Sequence, residues 1–319
     1  LNERGNQDEF LPIWYKLLKQ YREADRPEDV GKCLLTIANH FIMLEDYENA
    51  LPLYKEAYQL ALEHKSIELQ QVSGIMLIKY LCGAGYYSES LEYYNKIKPE
   101  IAFNPSMQNE VVKSYMELNK PDSARIYLAA RLLSERGDKI VLNCMMAETY
   151  IPEGEEDSAF VFLDRAMKSY KEKAKNYQKQ GREAILPNCF LSPCYLFADL
   201  LWKKGKIQQA SQYYMIVEPL MKERVKTPVR MELQIKALTN FSSFCRETKQ
   251  YEKALDLLAR RDSVLQTYLE FKAKNDKKNY AERLKIQELK HELNESEDAN
   301  RVNTHVAAIC IFLLVISVA

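Results

Sequence analysis

Glu45-Asp46-Tyr47-Glu48-Asn49-Ala50-Leu51-Pro52-Leu53-Tyr54-Lys55-Glu56-Ala57 is the stretch whose recurrence decides the fold. The same frame returns at Tyr86 to Ile97, Pro121 to Leu128, Glu156 to Ala166, Ile207 to Tyr214 and Tyr251 to Leu258. Each copy has a small anchor: Ala50, Ser90, Ala124, Ala159, Ala210 and Ala254, separated by 40, 34, 35, 51 and 44 positions. Four residues past the anchor every copy is apolar or aromatic: Tyr54, Tyr94, Leu128, Leu163, Tyr214 and Leu258. Twelve residues before it stand Ala38, Ile78, Val112, Ala147, Ala198 and Ser242, of which four are small. Nine before it stand Phe41, Leu81, Tyr115, Tyr150, Leu201 and Cys245. A period of this size is the mark of a helical repeat array, in which no unit can bury its apolar face without a neighbour.

These residues resemble tetratricopeptide repeats, whose unit is two antiparallel helices in about 34 residues. The early Trp and late Pro of that family are absent here, and Ser90 replaces one anchor alanine. The resemblance implies an all-α fold: a superhelical stack of about six helix hairpins, followed by a long charged helix and the start of a transmembrane helix. On that basis residues 1–29 form a capping helix or partial repeat and residues 30–262 the array. Residues 263–303 form the charged helix and residues 304–319 the membrane segment. Longer gaps at 167–190 and 218–232 suggest extended second helices, with Pro187, Pro193, Pro219 and Pro228 near the junctions.

Composition agrees with a folded helical protein: 47% hydrophobic, 28% charged, with 9 Gly and 11 Pro, too few for a turn-rich all-β fold. Lys plus Arg (45) balance Asp plus Glu (45), so no net charge draws the chain to nucleic acid. The seven cysteines are odd in number and irregularly spaced, which implies no disulfide framework. Most lie in apolar helical stretches; Cys189 and Cys194 are the one close pair. Neither CxxC spacing nor a neighbouring histidine supports a metal site. His40, His64, His291 and His305 are scattered, and no phosphate-binding loop or nucleophile arrangement is present. No cofactor is expected, and no catalysis within this chain.

The segment Val264 to Arg301 lacks Gly and Pro and nearly balances its charges, as a solvated helix does. Ile286, Leu289 and Leu293 give coiled-coil spacing over a short length, enough to admit a homodimer. Val306 to Ala319 is 14 residues without a charge. Set against the ~20 that span a bilayer, it reads as the beginning of a membrane helix.

Repeat array, charged helix and membrane segment in this order resemble the sensor region of bacterial membrane sensor histidine kinases or regulators that carry tetratricopeptide arrays. That resemblance implies binding of a protein or peptide in the groove lined by the first helix of each pair. A change there would pass through the juxtamembrane helix. The groove candidates are Lys32, Asn39, Lys79, Lys113, Glu148, Tyr195, Asp199, Trp202, Lys236 and Arg246. The family's clamp for a terminal carboxylate is not carried over: Asn39 matches one position, but Leu35 and Met76 occupy others. The expected location is membrane-anchored with a periplasmic array. The alternative is a cytoplasmic scaffold or co-chaperone held by a membrane tail.

Overall fold

The computed structural model describes residues 10–97, 107–134, 138–180, 185–222, 227–274 and 276. Among them the chain is all-helical, with no strand, and its helices pack in consecutive pairs. It divides into two compact units, residues 1–73 with 273–319 and residues 74–272.

The first unit begins with α1 (Phe10–Glu23), α2 (Pro27–Met43) and α3 (Tyr47–Glu63), then the first turns of α4 (Ile67–Gly83). Helix α2 starts on Pro27, whose fixed φ suits the first turn and whose missing N–H would be unpaired there anyway. Val30, Cys33, Leu34, Ile37, Ala38 and Phe41 recur at helical spacing and are buried. Helix α3 is capped by Asp46, whose carboxylate accepts from the Asn49 N–H at 3.2 Å. It buries Ala50, Tyr54, Ala57 and Ala61 against α2. Gly31 sits mid-helix, where a glycine costs stability. The reason is a close approach: a Cβ there would lie 2.3 Å from the Leu69 side chain.

The second unit continues with α5 (Tyr87–Lys96), α6 (Gln108–Glu117), α7 (Pro121–Leu133), α8 (Lys139–Tyr150) and α9 (Glu156–Lys179). It goes on through α10 (Leu191–Lys203), α11 (Ile207–Lys222), α12 (Pro228–Glu247) and a final helix over 251–274. Short 3₁₀ turns, Ile151–Glu153 and Asn188–Phe190, precede α9 and α10. Helices α6 and α7, α8 and α9, and α10 and α11 pack as pairs. Each second helix also touches the next first helix: α7 on α8, α9 on α10, α11 on α12. First helices touch one another, α8 on α10 and α10 on α12. This nearest-neighbour pattern is how a repeat array builds a continuous core.

All six anchors are buried, five of them at 0% exposure and Ala254 at 5%. Ser90 keeps the pattern by a different route: its hydroxyl donates to the Ile78 carbonyl at 2.8 Å, so the buried oxygen is satisfied. Ile78 stands twelve residues before that anchor, where four of the other five pairs hold a small residue.

A second regularity lies five residues before each anchor. Glu45, Gly85, Asn119, Gly154, Gly205 and Lys249 all have positive φ, between 54° and 87°. The residue after each donates its N–H to the carbonyl nine before the anchor, as in Asp46 to Phe41 (2.9 Å) and Lys206 to Leu201 (2.9 Å). Gln250 to Cys245 (2.8 Å) repeats it. This is the Schellman close of a helix, which satisfies an orphan carbonyl and reverses the chain at once. The bulky residue at position −9 is thus also the acceptor that ends the first helix. The α1–α2 turn has the same form, with Asp25 at φ 52° and Arg26 N–H on the Tyr21 carbonyl at 3.0 Å.

Polar clasps join pair to pair. Arg125 on α7 donates to the Thr149 carbonyl at 2.7 Å and stacks 3.9 Å above the Tyr150 ring, while its guanidinium also reaches Glu153. Glu156, at the start of α9, takes Lys204 at 3.3 Å and Lys206 from the α10–α11 turn. The Lys206 bond holds its carboxyl below the usual range.

The long gap before α10 is partly a long helix: α9 runs 24 residues, as expected. Helix α11 has 16 residues, so in the next pair the extra length goes to the 20-residue α12. The last helix runs through residue 262 without interruption. No helix among the described residues is long and apolar enough to cross a membrane. The expected membrane segment 304–319 and the coiled-coil stretch at Ile286, Leu289 and Leu293 lie outside the described residues.

Candidate functional site

Five of the ten candidates occupy one register, eleven residues before an anchor: Asn39, Lys79, Lys113, Glu148 and Asp199. In the pairs where Tyr stands four after the anchor and Asn or Asp stands here, the two meet. Tyr54 donates its hydroxyl to Asn39 Oδ1 at 2.6 Å, and Tyr214 donates to Asp199 Oδ1 at 3.1 Å. Asn39 remains exposed, but this oxygen faces its own pair. Tyr94 has Lys79 in the same relation, where no carboxylate or amide oxygen is offered to the phenol. Its ring instead packs edge-on to Tyr127 at 5.7 Å.

Lys79 and Lys113 are exposed and lean over aromatic rings, Lys79 5.2 Å from the Tyr80 centroid and Lys113 5.8 Å from that of Tyr87. Both act on Glu110 of α6, a residue not anticipated. Burial raises its carboxyl, its own backbone and the two lysines oppose the rise, and its Oε2 is buried with no hydrogen bond. Lys32 and Lys236 are exposed.

The densest group is on α8, α10 and α12 of the second unit. Glu148 accepts a hydrogen bond from Ser192, yet crowding removes so much water that its carboxyl is pushed up to about 7. Tyr195 is buried at 5% exposure, and burial with the nearby Glu148 and Asp199 charges pushes its phenol up to about 12. It is therefore a wall of the site and not an exposed anchor. Asp199 has its second oxygen on Asn240 Nδ2 at 3.1 Å, and Lys203 lies 3.7 Å away. Trp202 is half-buried and meets Phe244 edge-to-face at 5.7 Å. It keeps one side toward solvent, between the two roles a surface tryptophan can take.

Arg246 is exposed and lines a separate cavity of about 340 Å³ with Thr239, Ser242, Tyr251, Leu255 and Arg261. Tyr251 and Leu255 are 60% and 68% exposed there, so the face that a further helix pair would cover is open among the described residues.

Glu148, Tyr195 and Asp199 are thus brought together, and Asn240 and Ser192 complete the group. Neither of these last two was expected; both lie on the first helices of adjacent pairs, seven and three positions before the register residue of their own pair. Among the described residues no group of three His, Cys, Asp or Glu side chains is placed to hold a metal ion. What this strip can do is hydrogen-bond and offer a carboxyl that changes charge near neutrality. No protein-family model matches the chain, and no curated protein matches it.

Proposed function

We propose that residues 30–262 are a tetratricopeptide-like binding module that takes a protein or peptide along the strip of first helices. In this reading the module is the outward-facing sensor region of a membrane-anchored signalling protein, and the helix that begins at 251 carries the response toward the membrane. The observation that supports it most is the polar strip Glu148–Ser192–Asp199–Asn240 beside the half-buried Trp202. It combines an aromatic surface with hydrogen-bonding groups on rigid helices, the mix that anchors a partner's side chains. A ligand would signal by binding one arrangement of helix pairs better than another. No catalytic role is assigned to any residue of the strip.

The experiment is selection of a displayed peptide library on the 319-residue chain, followed by affinity measurements on Glu148→Ala and Trp202→Ala. The proposal expects enriched peptides whose binding falls tenfold or more in both variants, about 1.4 kcal/mol or more. Peptides that bind both variants as tightly as the parent would place the site elsewhere and refute the strip.

A further inference from the structure

Three of the seven cysteines lie in one core cluster where the fourth helix pair joins the fifth, Cys144 45 residues before the close pair Cys189 and Cys194. Cys144 lies on α8, Cys189 in the 3₁₀ turn Asn188–Phe190, and Cys194 in the first turn of α10. All three are free thiols. They pack in one core cluster, Cys144 and Cys194 fully buried and Cys189 at its edge, partly open to solvent. The turn Asn188–Phe190 rests directly on α8, and the Cys144 and Cys189 thiols are close enough to act on each other. Cys194 lies close enough to act electrostatically on Cys144 and to be acted on by Cys189.

We propose that Cys144 and Cys189 are a dithiol–disulfide pair oxidised by a hydroperoxide, a modification site that clamps α8 to the entry of α10. The division of labour follows from the surroundings. Cys189 is the sulfur that solvent reaches. The Cys144 thiol beside it favours the Cys189 thiolate and moves its pKa down, against burial and the Asp138 and Glu148 charges. Cys144 is moved up, by the Cys189 thiol and by burial. The exposed sulfur is therefore the nucleophile and the buried one the resolving thiol.

In the first step the Cys189 thiolate attacks the peroxide. An S–O bond forms, the O–O bond breaks, and the departing hydroxide takes a proton to become water, leaving Cys189 as a sulfenic acid. In the second step the Cys144 sulfur attacks the Cys189 sulfur. The S–S bond forms, the S–O bond breaks, and the hydroxyl leaves with the Cys144 proton as a second water. Two thiols lose two electrons in total, and one hydrogen peroxide gains them.

Glu148 is one turn beyond Cys144 on α8 and bonds to Ser192, two residues before Cys194. The clamp therefore bears on the same two helices as the polar strip, although the oxidation stands whether or not that strip binds a ligand. The sequence offered Cys189 with Cys194 as the pair to consider; the fold also sets the turn of Cys189 on the helix that carries Cys144.

The test exposes the reduced 319-residue chain to stoichiometric hydrogen peroxide, alkylates remaining thiols, digests without reductant and maps the products by mass spectrometry. The expected product is a linked Cys144–Cys189 peptide pair, two hydrogens lighter than the two thiols and abolished by reductant. Cys144→Ser should leave Cys189 as a sulfenic acid that dimedone traps, whereas Cys194→Ser should leave the link in place. A Cys189–Cys194 link, or oxidation elsewhere with Cys144 and Cys189 still alkylated, overturns the proposal. Neither reading requires a variant to fold, because the parent chain alone distinguishes them.

Discussion

Replacing Gly205 by Ala and Lys249 by Gly should shift stability in opposite directions, although both residues do the same job. Each is the left-handed residue of a Schellman close, at φ 76° and 62°. Gly205 donates to the Trp202 carbonyl at 2.8 Å and Lys206 to Leu201 at 2.9 Å; Lys249 donates to Arg246 at 3.2 Å and Gln250 to Cys245 at 2.8 Å. A Cβ on Gly205 would meet nothing within 4 Å, so Gly205→Ala introduces no clash, only backbone strain. An L-residue in this region costs about 1–2 kcal/mol. A stiffer unfolded chain returns about 0.4–1 kcal/mol. The net loss is about 0.5–1.5 kcal/mol. Lys249→Gly reverses both terms and should gain about 0.5–1 kcal/mol. Neither residue lies within a helix, so helix propensity does not enter. Urea unfolding of the 319-residue chain followed by far-ultraviolet circular dichroism would measure both, with the midpoint read at constant slope. A neutral or stabilising Gly205→Ala, or a destabilising Lys249→Gly, would refute the claim that pair closure imposes the left-handed backbone.

Tyr214→Phe should cost more than Tyr54→Phe, about 1.5–3 against about 0.5–1.5 kcal/mol, because one hydroxyl serves a carboxylate and the other a neutral amide; the same unfolding assay ranks them, and equal losses would contradict the assigned bonds. Ala198→Leu, at a first-helix position with 0% exposure, should destabilise by about 1–3 kcal/mol through overpacking, and an unchanged midpoint would argue against the close approach of α10 to its neighbours. Glu148 has a folded-state pKa of about 7, above its ordinary 4.5. Between those values the folded chain binds the proton and the unfolded chain does not, so this residue's contribution to stability falls as pH rises from 4.5 to 7 and stays lower above. Glu148→Gln should therefore flatten that decline and leave the variant more stable than the parent at pH 8, as thermal melts across the range would record; a variant less stable at pH 8 would show the carboxylate to be favourably paired.

The anchors and their apolar partners were legible because each is a local choice repeated six times: a small residue where two helices touch, and a large one a turn later to fill the space. Ser90 looked like a departure in one dimension and is none in three, since its hydroxyl finds the Ile78 carbonyl. The turns were only half legible. Gly85, Gly154 and Gly205 share a register and could have been read as helix closes, with Asn119 as a weaker fourth. Glu45 and Lys249 carry no such signal. Their backbone is set by docking of the second helix on the first, and side-chain propensity has no vote when tertiary contacts outweigh about 1 kcal/mol of strain. The continuity of the final helix past residue 262 was hidden for a related reason. A change from apolar to charged composition marks where a helix leaves the core, not where its backbone hydrogen bonds end.

The strip was read as a row of independent exposed residues, and that assumption fails at Asn39 and Asp199. Whether such a residue is free depends on what stands fifteen positions later on the partner helix: a tyrosine converts it into an internal acceptor, as Tyr54 and Tyr214 do. Glu148 has Leu163 in that relation, which cannot donate, and its one assigned hydrogen bond comes from Ser192 in the next pair. The same reasoning separates the two carboxylates as parts of a binding surface. Asp199 already accepts from Tyr214 on one oxygen and Asn240 on the other, so its charge is hydrogen-bonded within the fold. Glu148 carries a raised pKa because its surroundings under-solvate the charge, so a partner's ammonium or guanidinium arriving there would relieve a cost already present in the fold. Of the two, Glu148 is accordingly where a cationic side chain would gain more, and its pKa should drop on binding.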